Sequence, residues 1–167
     1  ITFADITEKK GAEEEIKRLN KELSQKAETI EEKYKTLYES SADAIMILEP
    51  PIWKFTAGNP ATMKMFGIRS EAEFKQLGPW DVSPKKQPDG QLSSEIAKKH
   101  IMLAMKNGSR LIEWTHKKLN GKEFQTTVLL TKLKINGKEV LQATVRDVSE
   151  QKKTEQQIED RNIELEE

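Results

Sequence analysis

The chain is 167 residues long, enough for one ordinary domain with extensions and too short for a second core. Charged residues make up 34% of it against 35% in the apolar class, so the apolar residues must gather in one part and leave the rest elongated and solvated. Lys plus Arg balances Asp plus Glu at 28 each, which gives no field to draw in nucleic acid or an anionic membrane, and the absence of cysteine excludes disulfides, thiolate nucleophiles, Cys-ligated zinc and cysteinyl cofactor adducts.

No apolar run approaches the ~20 residues of a membrane span. Ile1 to Asp5 reads as a strand end rather than a basic and apolar leader. The expectation is a cytoplasmic chain without direct membrane contact. An internal repeat sets its organisation: residues 1 to 23 laid over residues 143 to 165 agree at nine positions, among them Asp5 with Asp147, Glu8 with Glu150, Ile16 with Ile158 and Leu23 with Leu165. Self-similarity at a fixed offset marks a tandem unit, so residues 1–7 are expected to be the last strand and capping motif of a preceding unit.

Each copy places Asp, an aliphatic residue, Thr or Ser, and Glu before a charged helical run: Asp5, Thr7 and Glu8 upstream, and Asp147, Ser149 and Glu150 downstream. The pattern predicts a capping box, in which the Asp carboxylate accepts the amide three residues on and the Glu reaches back to the cap's own amide. A cap alone would explain these residues. Its recurrence at two strand-to-helix junctions suggests that strand movement reaches a helix.

Residues 8–37 follow as a linker helix. Ala12, Ile16, Leu19, Leu23, Ala27, Ile30, Tyr34 and Leu37 recur at steps of three and four, a narrow stripe among Glu and Lys that suits the seam of a two-stranded coiled coil better than the face of a core helix. The seam, Ile16 through Leu37, predicts a parallel homodimer, against the plainer reading of a solvated spacer. Two successive four-residue steps, Leu19 to Leu23 to Ala27, form a stutter that locally unwinds such a supercoil.

Residues 38–148 change character. Ala44 to Leu48 is apolar on both faces and predicts a central strand; Trp53 to Ala57 follows the Pro50-Pro51 turn as a second. Asn59-Pro60 opens a helix that Gly67 stops, a shorter helix runs from Ser70 to Leu77, and Ser93 or Ser94 caps a longer one ending at Asn107-Gly108. Between them, 78–90 reads as a loop. Leu111–Leu119, Lys122–Ile135 and Lys138–Asp147 are three strands joined by Asn120-Gly121 and Asn136-Gly137, each a type I′ hairpin signal. With the early strands they make an α+β domain of five strands with helices on one face. Residues 149–167 continue as a shorter C-terminal helix.

Taken together, NPATMKMFG at 59 to 67, EWTHKKLNGKEFQTTVLLT at 113 to 131 and TVRDVSEQKKTE at 144 to 155 resemble a PAS sensory domain of a bacterial or archaeal multi-domain signalling protein. The resemblance covers about 33 to 155. It implies an antiparallel sheet in the order 2-1-5-4-3 enclosing a small cavity, flanked by signalling helices in a tandem array. Its partners would be a second copy of the chain and adjacent PAS and effector domains, as in a sensor histidine kinase.

No catalytic constellation is legible: the imidazoles are His100 and His116 alone, no Gly-rich phosphate loop occurs, and no Ser or Thr has a visible base. Any kinase or cyclase activity belongs to other domains. The resemblance places a haem ligand of such domains at Ala97 or Lys98 rather than His100, so haem is not expected; cysteinyl flavin lacks its cysteine, and no residue speaks for a noncovalent flavin. Carrying over the family's inward face, Ile112, Trp114, Thr126, Val128, Leu130, Leu141, Ala143 and Val145 point at the cavity and His116 sits at its rim. Trp114 with Thr126 could then hold a ring or a carboxylic acid. A core filled by these same residues is the equal alternative.

Overall fold

The computed structural model of the protein describes residues 1–166, so residue 167 of the expected exit helix lies outside the described residues. The chain divides into two units, Ile1–Glu39 and Ser40–Glu167.

The first unit is helix α1, Phe3–Ser40, which buries none of its residues. Ile16, Leu19, Leu23, Ile30, Tyr34 and Leu37 are all exposed on it. Arg18 pairs with Glu15 and Glu22 one turn to either side, the i, i+3 and i, i+4 support that a solvated helix uses. Ile1 to Asp5 is not a strand end, because a strand needs a hydrogen-bonded neighbour and no described strand pairs there. The capping box is also displaced by one turn from Asp5, Thr7 and Glu8. Thr2 is the cap: its Oγ1 accepts the Asp5 N–H at 3.3 Å, while Asp5 Oδ2 accepts the Thr2 N–H at 3.1 Å. Asp5 thus takes the reciprocal position that Glu8 was expected to fill, and Thr7 donates to Phe3 O.

In the second unit β1 (Ala44–Glu49) and β2 (Lys54–Gly58) form an antiparallel pair around Pro50-Pro51. Helices α2 (Pro60–Phe66), α3 (Glu71–Phe74) and α4 (Ser93–Asn107) follow, then β3 (Ser109–Lys117), β4 (Glu123–Ile135), β5 (Lys138–Asp147) and α5 (Ser149–Glu166). The strands form one antiparallel sheet in the order β2-β1-β5-β4-β3.

Period-two burial fixes the inner face. Met46 and Leu48 from β1, Trp114 from β3, Val128 and Leu130 from β4, and Leu141, Ala143 and Val145 from β5 join Phe66, Phe74, Ala97, Ile101 and Ala104 of the helices in one core. Asn59 is fully buried and holds the β1–α2 corner. Its Oδ1 accepts the N–H groups of Ile45 and Thr62, each at 3.0 Å, and its Nδ2 donates to Asp43 O. Gly67, at φ 72°, supplies the left-handed cap that stops α2.

Three local expectations are corrected. Neither Ser93 nor Ser94 caps α4: its N-cap is Leu92, with no side-chain cap bond, because the Ser93 hydroxyl is taken by Gln87 Nε2 at 2.9 Å. The helix from Ser70 to Leu77 is only the turn Glu71–Phe74, capped by Ser70. Asn136-Gly137 has positive φ at both residues, 49° and 80°, as a type I′ turn requires, but at 120–121 only Gly121 does. There the register Lys117↔Glu123 leaves a longer loop, and Gly121 N–H returns to Lys118 O at 2.9 Å, a type I turn closed by a left-handed glycine.

Candidate ligand cavity and exit-helix junction

Helix α4 lies over β3 and β4 and leaves a cavity of about 50 Å³ beneath Ala97, His100 and Ile101. Its other walls are Met46 and Leu48, Phe55, Pro79, Ile112, Trp114, His116, Val128, Leu130, Ala143 and Val145. Seven of the residues expected there are brought together: Ile112, Trp114, His116, Val128, Leu130, Ala143 and Val145. Leu141 and Thr126 face the same side of the sheet without lining the cavity. Leu141 is opposite Leu48 and fully buried, whereas Thr126 is held against the backbone of the neighbouring strand.

The polar groups of the walls are mostly spent. Trp114 Nε1–H donates to Ser83 Oγ at 2.9 Å, and Ser83 in turn donates to Pro79 O at 2.6 Å. Thr126 Oγ1 donates to Trp114 O at 2.8 Å and lies 2.8 Å from His116 Nδ1. The pair proposed from sequence to grip a ring or a carboxylic acid therefore has its hydrogen-bonding groups committed elsewhere.

His116 is not at a rim. It is 6% exposed, with Phe66 edge-on at 5.1 Å and Phe124 at 6.0 Å between ring centres. Burial pushes its pKa down to about 3, so the ring is neutral at physiological pH. His100 is half-buried; Arg110 Nε donates to its Nδ1 at 2.7 Å. Its pKa is lowered first by burial and then by the charges of Arg110 and Lys99.

Sequence reasoning missed the loop that covers the sheet's edge. β3 is an outer strand, and Gln87 stands in for the missing neighbour of Thr115: Oε1 accepts the Thr115 N–H at 2.9 Å and Nε2 donates to Thr115 O at 3.1 Å. Lys117 N–H is covered by Val82 O at 2.8 Å. No periodic pattern marks such a glutamine in a Pro-rich segment. The missed walls Met46 and Leu48 lie on a strand that was expected, but AIMIL is apolar at every position, so the sequence does not say which of its faces meets the cavity.

The exit junction is also tighter than a capping box. Asp147 Oδ1 accepts the N–H of Ser149, two residues on, at 2.9 Å. Ser149 Oγ accepts the Gln125 N–H at 3.1 Å, and Val148 N–H donates to Gln125 O at 3.0 Å. Lys152 pairs with Glu113 at 3.2 Å. Glu150, expected to reach back to the cap, instead gives its carbonyl to the Thr154 hydroxyl. A strand occupies the space before the cap and uses the amide that a capping glutamate would take.

No family model matches the chain, and no curated protein matches it. Solved structures do. It is similar to a PAS domain from a two-component sensor histidine kinase, at 16% identity and a TM-score of 0.58, over 72% of this chain and 98% of that one. It is similar also to the PAS domain of an HTR-like protein from Haloarcula marismortui, at 20% and 0.59, over 78% and 98%. An RNA-binding Light-Oxygen-Voltage receptor matches at 18% and 0.61, over 80% of this chain and 37% of that one. Sheet order and helix placement are those of these domains: the fold is the PAS fold. Among the described residues no helix is long and apolar enough to cross a membrane.

Proposed function

We propose that the chain is a signal-relay PAS module of a larger signal transduction protein, such as a sensor histidine kinase, which passes a change in its sheet to a following effector through α5. One observation carries this reading. A continuous run of hydrogen bonds leads from the start of α4 to the start of α5: Ser93 to Gln87, Gln87 to Thr115, Thr115 to Gln125 through Nε2 at 3.0 Å, and Gln125 to Ser149. Thr115 sits between the cavity residues Trp114 and His116, so displacing either of them moves the middle of the run. Both ends of α5's first turn, Ser149 and Lys152, are tied to different strands, and a sheet distortion changes the helix start rather than dissipating in a loop.

The exposed seam of α1, Ile16 through Leu37, supports pairing of two chains in parallel. The relay would then act on a two-stranded output. We place the module in the cytoplasm, where a cysteine-free chain is at home, with its neighbours in the same polypeptide as partners.

Hydrogen exchange of residues 149–155 tests the relay. Gln87→Ala, which touches no part of α5, is expected to speed exchange there, while Lys64→Ala on α2 leaves it unchanged. Unaltered exchange in Gln87→Ala would sink the proposal. A second reading, a ligand-free PAS used for dimerisation and force transmission, is favoured by the cavity's size: about 50 Å³ lies far below the ~300–1,000 Å³ of ordinary small-molecule pockets. Haem and flavin do not fit a space of that volume. Native mass of the untreated protein separates the two, a bound mass favouring the sensor.

A further inference from the structure

We infer that the cavity selects a neutral molecule of a few heavy atoms with one O–H or N–H donor, and that the recognising atom is Nε2 of His116. The inference deepens the sensor reading and rests on it. It starts from a count of donors in the wall. Three polar side chains line the space, His100, Trp114 and His116, with Thr126 behind them; the Trp114 N–H is consumed by Ser83, and His100 Nδ1 accepts from Arg110, which leaves the His100 proton on its Nε2. The Thr126 hydroxyl proton and one imidazole proton share three acceptors, Trp114 O, Thr126 Oγ1 and His116 itself. If His116 carries its proton on Nδ1, that proton goes to Thr126 Oγ1 and the hydroxyl proton goes to Trp114 O, so both donors are satisfied. If the proton sits on Nε2, none of the hydrogen bonds found among the described residues takes it up. Buried donors left without partners are the rarer and costlier arrangement, so Thr126 fixes the Nδ1–H tautomer and leaves Nε2 as a bare lone pair.

Among the described residues no hydrogen bond reaches Nε2, although the ring is nine-tenths buried and lines the cavity. An acceptor in that position calls for a donor. Charge narrows the class further. No carboxylate, ammonium or guanidinium lines the cavity, and burial holds the His116 imidazole neutral, so an anion would enter without a counter-charge and a cation likewise. Size sets the other bound. At about 50 Å³ the space is well short of the ~150 Å³ that admits benzene. A small alcohol, with one donor and an apolar remainder, satisfies both the lone pair and the carbon wall.

The test uses three probes of one shape: 2-propanol, which donates; acetone, which only accepts; and acetate, which is charged. In ¹⁵N-histidine-labelled protein the Nε2 resonance is expected to have the unprotonated position before any addition and to shift saturably with 2-propanol. Binding of acetone and acetate is expected to be at least about tenfold weaker, the difference one hydrogen bond makes. His116→Phe should erase the preference for the alcohol. In case that variant fails to fold, Thr126→Val keeps the imidazole and removes the tautomer lock; it should move the proton to Nε2 and turn the preference toward acetone. Equal binding of acetone and 2-propanol, preference for acetate, or no saturable shift with any probe overturns the inference. Exchange of α5 without any probe tests the relay separately, so the failure of one is told apart from the failure of the other.

Discussion

The hydroxyl of Ser149 accepts the backbone N–H of Gln125 at 3.1 Å, across 24 residues of sequence. One side chain thereby pairs a β4 amide just past the end of the β5 ladder and fixes the first residue of α5. Replacing it with alanine leaves a part-buried amide unpaired, which costs about 1–3 kcal/mol. Ser149→Ala is expected to lower the urea midpoint and to fray α5 in helical circular dichroism. Asp147→Ala, which removes the bond to the Ser149 amide, should cost about 1 kcal/mol as the loss of an N-terminal cap. A midpoint within error of the parent for both would show that the junction is not mechanically coupled to the sheet.

His116 gives the domain a pH dependence with a definite sign. Its pKa is about 3 when folded and near the ordinary ~6.5 when unfolded, so between these values the unfolded chain binds the extra proton. Stability from this group is fully present above pH 6.5 and falls by up to about 1.4 kcal/mol per pH unit below it, until the folded pKa is reached. The interval from pH 6.5 to 4.5 is the useful one, because Asp43, held low by the Arg146 guanidinium, begins to matter only below it. Urea titrations at pH 7.5, 6.0 and 5.0 should show the slope in the parent and a flatter one in His116→Phe. His100, also lowered, contributes in the same direction, and the difference between the two proteins removes its share.

What was legible in the sequence follows from what each feature depends on. The meander could be read because Asn136-Gly137 and the alternation along β4 and β5 are local. The sheet order came through a family resemblance, not through periodicity. Asn59 was readable as a cap but not as a tie to Ile45 and Asp43, because that needs β1 beside it. His116 was placed at a rim because alternation gives its face and not its depth; Phe66 and Phe124, from distant segments, close over it. Ser93 looked like a cap until Gln87 took its hydroxyl, and Gln87 had no pattern to betray it. The strand expected at Ile1 failed because local propensity cannot supply a missing neighbour.

Gly58 is required by packing, not by backbone conformation. A Cβ built there would meet Phe74 Cε1 at 2.6 Å, and Phe74 cannot swing away, because it is fully buried and stacked on Phe55 at 4.6 Å. Gly58→Ala is therefore expected to destabilise by about 1–3 kcal/mol, the ordinary range for overpacking. Pairing it with Phe74→Leu should recover part of that loss, since the smaller side chain vacates the collision. If the double variant is less stable than the sum of the single ones, steric conflict is not the cause.

The stripe on α1 sets a last expectation. The six large apolar residues of this stripe, Ile16, Leu19, Leu23, Ile30, Tyr34 and Leu37, are exposed on a 38-residue helix, and an isolated helix gains nothing from leaving them in water, whereas a partner helix would bury each at a and d positions. The chain should therefore sediment as a dimer at high micromolar concentration. Leu23→Asp and Ile30→Asp should each shift it toward monomer, because a carboxylate in the seam has no counter-charge across a parallel axis. Glu28→Lys, off the stripe, serves as the control and should leave the mass unchanged. Leu19, Leu23 and Ala27 are spaced four and four, so restoring a three-residue step is expected to tighten the pair. Sedimentation of the parent as a strict monomer would reduce α1 to a solvated spacer and remove the two-stranded output from the proposed relay.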